Sequence, residues 1–161
     1  MEHPKGKPMV VPANEGRKKF ALGNEVRLKL SSSETGGDLY VFEVLTPPGV
    51  VVPPHVHRHE DELIQVIEGE YEIFLDGRTH IAGPGAVVNF PRYFPHGFVN
   101  IGKKPTRAVF TVVPGANFEK FFEELCALPA DGPPDMARVK EIFNRYDIEI
   151  LEAPSEYAKT G

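Results

Sequence analysis

Between Glu25 and Val113 the chain is written in short runs that alternate apolar and polar residues: "EVRLKL", "LYVFEVL", "ELIQVIEG", "YEIFL", "AVVNF" and "TRAVFTVV", broken by Gly, Pro, Asn or Asp. A period of two puts every second side chain on one face of a strand, so each run predicts a half-buried β-strand. "LDGR" around Asp76 and Gly77 predicts a hairpin turn, and "AGPG" at 82–85 another tight reversal. Pro47, Pro48, Pro53, Pro54, Pro91 and Pro95 would break a long helix and suit strand ends or edges. Six or more strands with no helix between them predict an all-β sandwich or barrel.

After Pro114 the period changes. Phe118, Phe121, Phe122 and Leu125 recur at helical spacing, with Asn117 as a candidate N-cap. A second amphipathic helix is predicted over roughly Pro134 to Arg145, carrying Met136, Val139, Ile142 and Phe143, and "DIEIL" predicts a short final strand. Both helices need a surface for their apolar stripes, and the β-structure is the candidate. The expectation is a single domain over 1–161, with a barrel at about 19–114 and a helical segment at about 115–153.

The chain has 161 residues, 41% of them hydrophobic, enough for one sizeable core. A formal charge of -5 supplies no basic field for phosphate backbones or anionic lipid, so no nucleic-acid partner is expected. No apolar run is long enough for a membrane span, and the N-terminal stretch lacks the apolar core of a signal peptide. A cytoplasmic protein is expected. Cys126 is the only cysteine, which excludes an intrachain disulfide and leaves a metal site nitrogen and oxygen ligands alone.

His55 and His57 stand two apart, so on a strand both imidazoles leave from one face. Glu62 shares alternation parity with Ile64 and Val66 and can point inward with them, and His96 begins a later strand with Phe98 and Asn100 on its face. A plainer reading makes the two histidines a polar corner between strands. His59 breaks the spacing to Glu62 and reads as a solvated loop residue, Glu60 and Asp61 as a charged loop face, and His80 as an exposed strand residue. His3 falls in the N-terminal stretch.

Two blocks carry a resemblance. The first reads Gly49, five residues, His55, one, His57, four, Glu62, six, Gly69; the second reads Gly85, five residues, Pro91, then His96, three, Asn100. Both resemble the paired motifs of the cupin superfamily, except that Tyr93 stands where the second motif has glycine. "ETGGDLY", "GANFEKFFEEL" and "RYDIEIL" further resemble the small single-domain quercetinase-like cupins, over roughly residues 10–153. The resemblance implies a cupin jelly-roll, or double-stranded β-helix, barrel followed by two C-terminal α-helices. It implies His55, His57, Glu62 and His96 as ligands to one divalent transition metal per chain, with Fe, Mn, Ni, Co and Zn all compatible with such ligands. It also implies a homodimer.

Three neutral imidazoles and one carboxylate around a divalent ion leave a net charge of about +1 and, in octahedral geometry, open positions for a substrate oxygen or dioxygen. The expected function is a metal-dependent dioxygenase acting on a small enolisable or phenolic compound, with Glu62 as general base. Leu63, Ile64 and Gln65 follow the glutamate where those proteins often have aromatics, which sets a flat flavonol in question. Two alternatives keep the same centre: a non-catalytic small-molecule binding or sensing module, and a non-oxidative isomerase or lyase. Phe90, Tyr93 and Phe98 are candidate substrate-pocket residues, although inward aromatics also serve as plain core. Tyr93 must accept a strained backbone, shift the turn, or send its ring to the site mouth. Cys126 reads as an inert small side chain on the first helix.

Overall fold

The computed structural model describes residues 5–154 and Tyr157, so His3 lies outside the described residues. Ten strands come first: β1 (Arg17–Ala21), β2 (Asn24–Leu30), β3 (Tyr40–Thr46), β4 (Val51–His57), β5 (Asp61–Glu68), β6 (Tyr71–Leu75), β7 (Arg78–Ala82), β8 (Val87–Phe90), β9 (His96–Asn100) and β10 (Thr106–Val113). Helices α1 (Gly115–Cys126) and α2 (Met136–Arg145) and a short strand, β11 (Ile148–Ile150), follow. The strands form two antiparallel sheets, ordered β1-β2-β3-β10-β5-β8 and β11-β4-β9-β6-β7. The chain crosses between them repeatedly, as at β4–β5 and β7–β8, which is the winding of a jelly-roll. The hydrogen-bonded ladders stay as two sheets and do not join into one closed barrel.

β3 and β10 alternate strictly between buried and part-exposed positions, and β5 keeps Glu62, Ile64 and Val66 on its buried face. β9 differs: all five of its residues are buried. The predicted Asp76–Gly77 hairpin forms with φ of 48 and 79 degrees, the left-handed pair that suits the strand twist. An equivalent turn at Leu22–Gly23, φ 49 and 80 degrees, joins β1 to β2. β1 itself, "RKKFA", has no alternation to announce it; its register comes from pairing Arg17 with Leu28 through to Ala21 with Asn24.

Phe118, Phe121, Phe122 and Leu125 of α1, with Val139, Ile142 and Phe143 of α2, share one core cluster with the inner faces of both sheets. Phe122 and Phe118 stack on Phe42 with ring centroids 4.7 and 5.9 Å away, so the helices close one end of the space between the sheets. Asn117 does not cap α1. The helix starts two residues earlier, at Gly115, whose N–H donates to the carbonyls of Gly37 and Asp38, so the β2–β3 loop takes the place of a side-chain cap. A Cβ at Gly115 would lie 2.5 Å from the Leu39 carbonyl carbon, which is why the close approach needs glycine. α2 is capped by Asp135, whose carboxylate accepts from the N–H groups of Ala137 and Arg138. No helix among the described residues is long and apolar enough to cross a membrane.

Candidate metal centre

β4 presents its histidines side by side, but its own ladder is interrupted to do so. Val52 pairs with Phe98 and His55 with His96, and the register shifts between those pairs at Pro53 and Pro54, which have no N–H to give. Opposite this bulge, Gly97 lets the two backbones close up: a Cβ there would stand 2.7 Å from the Val52 carbonyl oxygen. The other edge of β4 is held by β11, with Ile148 opposite His57 and Ile150 opposite His55. Glu62 reaches in from the facing sheet. His55, His57, Glu62 and His96 are all buried, and one ligand atom from each lies within 4.8 Å of the others.

The orientation of each ring is set on its far side. His55 Nδ1–H donates to the Pro53 carbonyl at 2.8 Å and His96 Nδ1–H to the Phe94 carbonyl at 3.0 Å. A carbonyl only accepts, so both neutral rings keep the Nε2 lone pair for the centre. His57 Nδ1 lies 3.2 Å from the Glu60 carboxylate, with Glu60 only 2% exposed. Glu60 is therefore not part of a charged loop face; the turn after β4 folds it back beneath His57. Carboxylate or carbonyl partners on the outer nitrogen are the arrangement that makes imidazole a well-aimed metal donor.

The donor set fits a cation. His96 Nε2 sits 3.3 Å from Glu62 Oε2, and with Nδ1 already donating, a neutral His96 would face that oxygen lone pair to lone pair. A proton or a metal ion must lie between them. A Fe, Mn, Ni, Co or Zn ion suits three imidazoles and one carboxylate. Burial, then the neighbouring charges of His96 and His57, hold the His55 pKa well below its ordinary 6.5. Burial pushes the Glu62 carboxyl upward, but the hydrogen bond to His96 and the charges of His57 and His96 outweigh it and leave the pKa lowered.

These shifts set an expectation for the metal-free protein. Unfolded His55 takes up a proton near pH 6.5 and the folded residue does not until far lower pH, so stability present above 6.5 is lost as pH falls. The loss should be about 1.4 kcal/mol per pH unit from this group alone, with Glu62 adding its share only below its ordinary 4.5. Thermal melting of chelator-treated protein at pH 7.5, 6.5 and 5.5 measures it; a melting temperature flat across that range would contradict the burial of neutral His55.

Around the quartet the wall is apolar. A cavity of about 70 Å³ is bordered by His55, His57 and Glu62 on one side and by side chains that include Phe42, Phe98, Phe110, Phe118 and Phe143. Since about 10–15 Å³ is the least space that holds one water, this is room for a few waters beside the histidines. Phe98 lines this cavity. Phe90 is fully buried and stacks on His96 with centroids 4.2 Å apart, behind the ligand ring and not among the lining residues. Tyr93 adopts φ 72 degrees and is 63% exposed, with its ring outside the cavity lining.

The Tyr93 turn is held by hydrogen bonds in place of glycine's freedom. Tyr93 N–H donates to the His57 carbonyl at 2.8 Å, while Asp61 accepts from the Arg92 backbone N–H at 2.9 Å and takes both ends of its guanidinium. Asp61, lowered in pKa by Arg92, thus fixes the loop that delivers His96 and is not itself among the converging ligands. His59 is exposed and bonded to Asp147 at 2.9 Å, and His80 is exposed on β7. Burial pushes the Cys126 thiol up to about 11, so little thiolate is present at neutral pH. Sequence reasoning missed Glu60 and Gly97. The signal for the first is an acid three residues after His57 across a tight turn; for the second, a glycine inside an otherwise bulky strand.

Residues 42–113 match the family model described as a cupin domain. Quercetin 2,3-dioxygenase of Bacillus subtilis is 31% identical over 92 residues, 56% of this chain but 27% of that protein, so the match spans about a quarter of the relative's length. Polyketide synthase CurC of Streptomyces cyaneus is 28% identical over 111 residues, covering 68% of this chain and 72% of that protein. A crystal structure from Thermotoga maritima, described as a predicted oxalate decarboxylase, superimposes with a TM-score of 0.62 at 20% identity, covering 66% of this chain and 99% of that one, a likeness of fold. Both cupin motifs, the two-sheet jelly-roll and the buried histidine and glutamate group coincide in one molecule, and with the cupin-domain match over residues 42–113 they support a small cupin-superfamily protein.

Proposed function

We propose that the chain is a metal-dependent oxygenase of a small enolisable or phenolic compound, with one divalent transition metal per chain held by His55, His57, Glu62 and His96. The observation that carries this reading is the convergence of those four donor groups, three of which, His55, His57 and Glu62, border a largely apolar cavity. A bound metal supplies Lewis acidity for an enolate or phenolate oxygen and, when it is redox-active, a route for dioxygen chemistry. The chain's own residues do the rest. The aromatic walls favour a flat apolar body and keep bulk water from the reacting end. Glu62, held ionised by its lowered pKa, accepts the acidic proton of the entering enol or phenol at a carboxylate oxygen. Backbone-anchored His55 and His96 keep their Nε2 lone pairs on target while that proton moves.

The likeness to the Bacillus enzyme supports dioxygen as co-substrate, and the cavity volume supports a substrate smaller than quercetin itself. Oxygen uptake decides the matter, measured with protein reconstituted separately with Fe, Mn, Co, Ni and Zn and a panel of β-diketones, catechols and flavonols. Uptake with a one-ring substrate and a redox-active metal is the expected result. Product formed under strict anaerobiosis would replace the oxygenase with an isomerase or lyase, and tight binding with no turnover of any substrate would leave a binding module.

A further inference from the structure

The cavity beside the histidines shares its wall with a second space. Ala21, Leu22 and Leu125 border it and also border a larger vestibule of about 290 Å³, whose rim includes Phe20 and Val51, 45% and 38% exposed. The vestibule lies between the β1–β2 hairpin, the start of β4 and the segment joining α1 to α2, which contributes Leu128, Pro129, Ala130 and Pro134. None of the described residues that line it carries a polar or charged side chain. An apolar concavity left open to solvent is the form that binding sites take. Leu22 adds an independent sign. It takes φ 49 degrees at the hairpin turn, a left-handed backbone that suits glycine or a short polar side chain and that a bulky residue rarely adopts. The corresponding turn between β6 and β7 uses Asp76, φ 48 degrees. A leucine in such a place is explained by its side chain, which packs on the core cluster and stands where the two spaces meet.

We infer that the vestibule holds an apolar tail of the ligand whose oxygen-bearing head sits at the histidine and glutamate group, so that the compounds of the proposed function are enols or phenols carrying an alkyl chain or a similarly slim apolar substituent. The inference rests on the reading of the inner cavity as the substrate site. At about 70 Å³ that cavity has room for little beyond a small head. The remainder of a larger ligand must pass the wall, and Ala21, Leu22 and Leu125 mark where a space exists to receive it. The lining then decides the chemistry of the tail. A charged or strongly hydrated substituent would lose its water there without gaining a side-chain partner, whereas each methylene is favoured by its removal from water. The β1–β2 hairpin thus serves recognition as well as sheet pairing, because Leu22 stands between the head and the tail.

The test follows anaerobic binding of catechol, 4-methylcatechol, 4-butylcatechol and 4-hexylcatechol to zinc-loaded protein by calorimetry. Affinity should rise about three- to fourfold for each methylene that enters the vestibule. Dihydrocaffeate, whose side chain ends in a carboxylate, should bind at least about tenfold more weakly than 4-butylcatechol. Val51→Asp places a charge in the vestibule and Ala130→Trp fills it, and each should flatten the dependence on tail length. Both positions are exposed, so the fold should tolerate either change, and melting curves check that it does. Zinc-dependent binding of catechol with no gain from the tail would overturn the vestibule and leave the cavity assignment standing. A gain that survives both variants would place the tail elsewhere and overturn the inference likewise. Binding of none of the compounds would overturn both readings.

Discussion

Replacing His96 by alanine is expected to abolish stoichiometric metal while the fold survives. His96 is the ligand that the second block brings to the first: it pairs with His55 across the β4–β9 ladder and reaches Glu62 of the facing sheet at 3.3 Å. Removing it takes away one donor of four, and since losing only the outer partner of a metal-bound histidine costs 10–100-fold, the affinity should fall by more than about 100-fold. The structural cost is smaller. The imidazole is sandwiched between Phe90 and His55, at 4.2 and 4.5 Å between centroids, and its deletion leaves a void worth roughly 2–3 kcal/mol, against the roughly 5–15 kcal/mol of a typical domain. Elemental analysis of purified protein, with a thermal melt beside it, measures both. His59→Ala is the control, because that exposed ring binds Asp147 and should leave metal content unchanged. Full occupancy in His96→Ala would remove His96 from the ligand set.

Much of this arrangement is legible in the sequence because strand parity is a strong constraint. Two positions apart on one strand means one face, so His55 and His57 come together, and Glu62 travels inward with Ile64 and Val66. His96 is different, since local pattern gives no partner at forty residues' distance; it became readable only through the resemblance of both motifs to cupins. What alternation does not describe is turns and close backbone approaches: Gly97 lies inside β9 against the Val52 carbonyl, and Glu60 sits in a turn. Glu60 looks like one charge among several in "RHEDE", yet the turn buries it, while its neighbour Asp61 turns outward to Arg92. Tyr93 keeps the left-handed backbone of the glycine it replaces because His57 and Asp61 hold its turn by hydrogen bonds. The helical stripe of α1 announced a buried face without saying that it would wall the cavity beside the histidines.

Glu60 is where the unread part of the sequence should matter most for metal affinity. The outer nitrogens of His55 and His96 rest on backbone carbonyls, which no substitution removes, whereas His57 depends on a side chain. Glu60→Gln keeps an acceptor within reach but withdraws a buried negative charge, and metal should bind about tenfold more weakly. Glu60→Leu removes the acceptor as well, so the His57 proton is free to move to Nε2 and block the donor position; about 100-fold weakening is expected. Competition titration against a chromophoric chelator gives the affinities, and the ring-nitrogen NMR shifts of His57 report its tautomer in the zinc-loaded protein. Melting of the metal-free variants separates a loss of donor alignment from a loss of fold. Unchanged affinity in both variants would mean that the strand backbone alone aims His57, and that the buried carboxylate is spent on the turn and not on the metal.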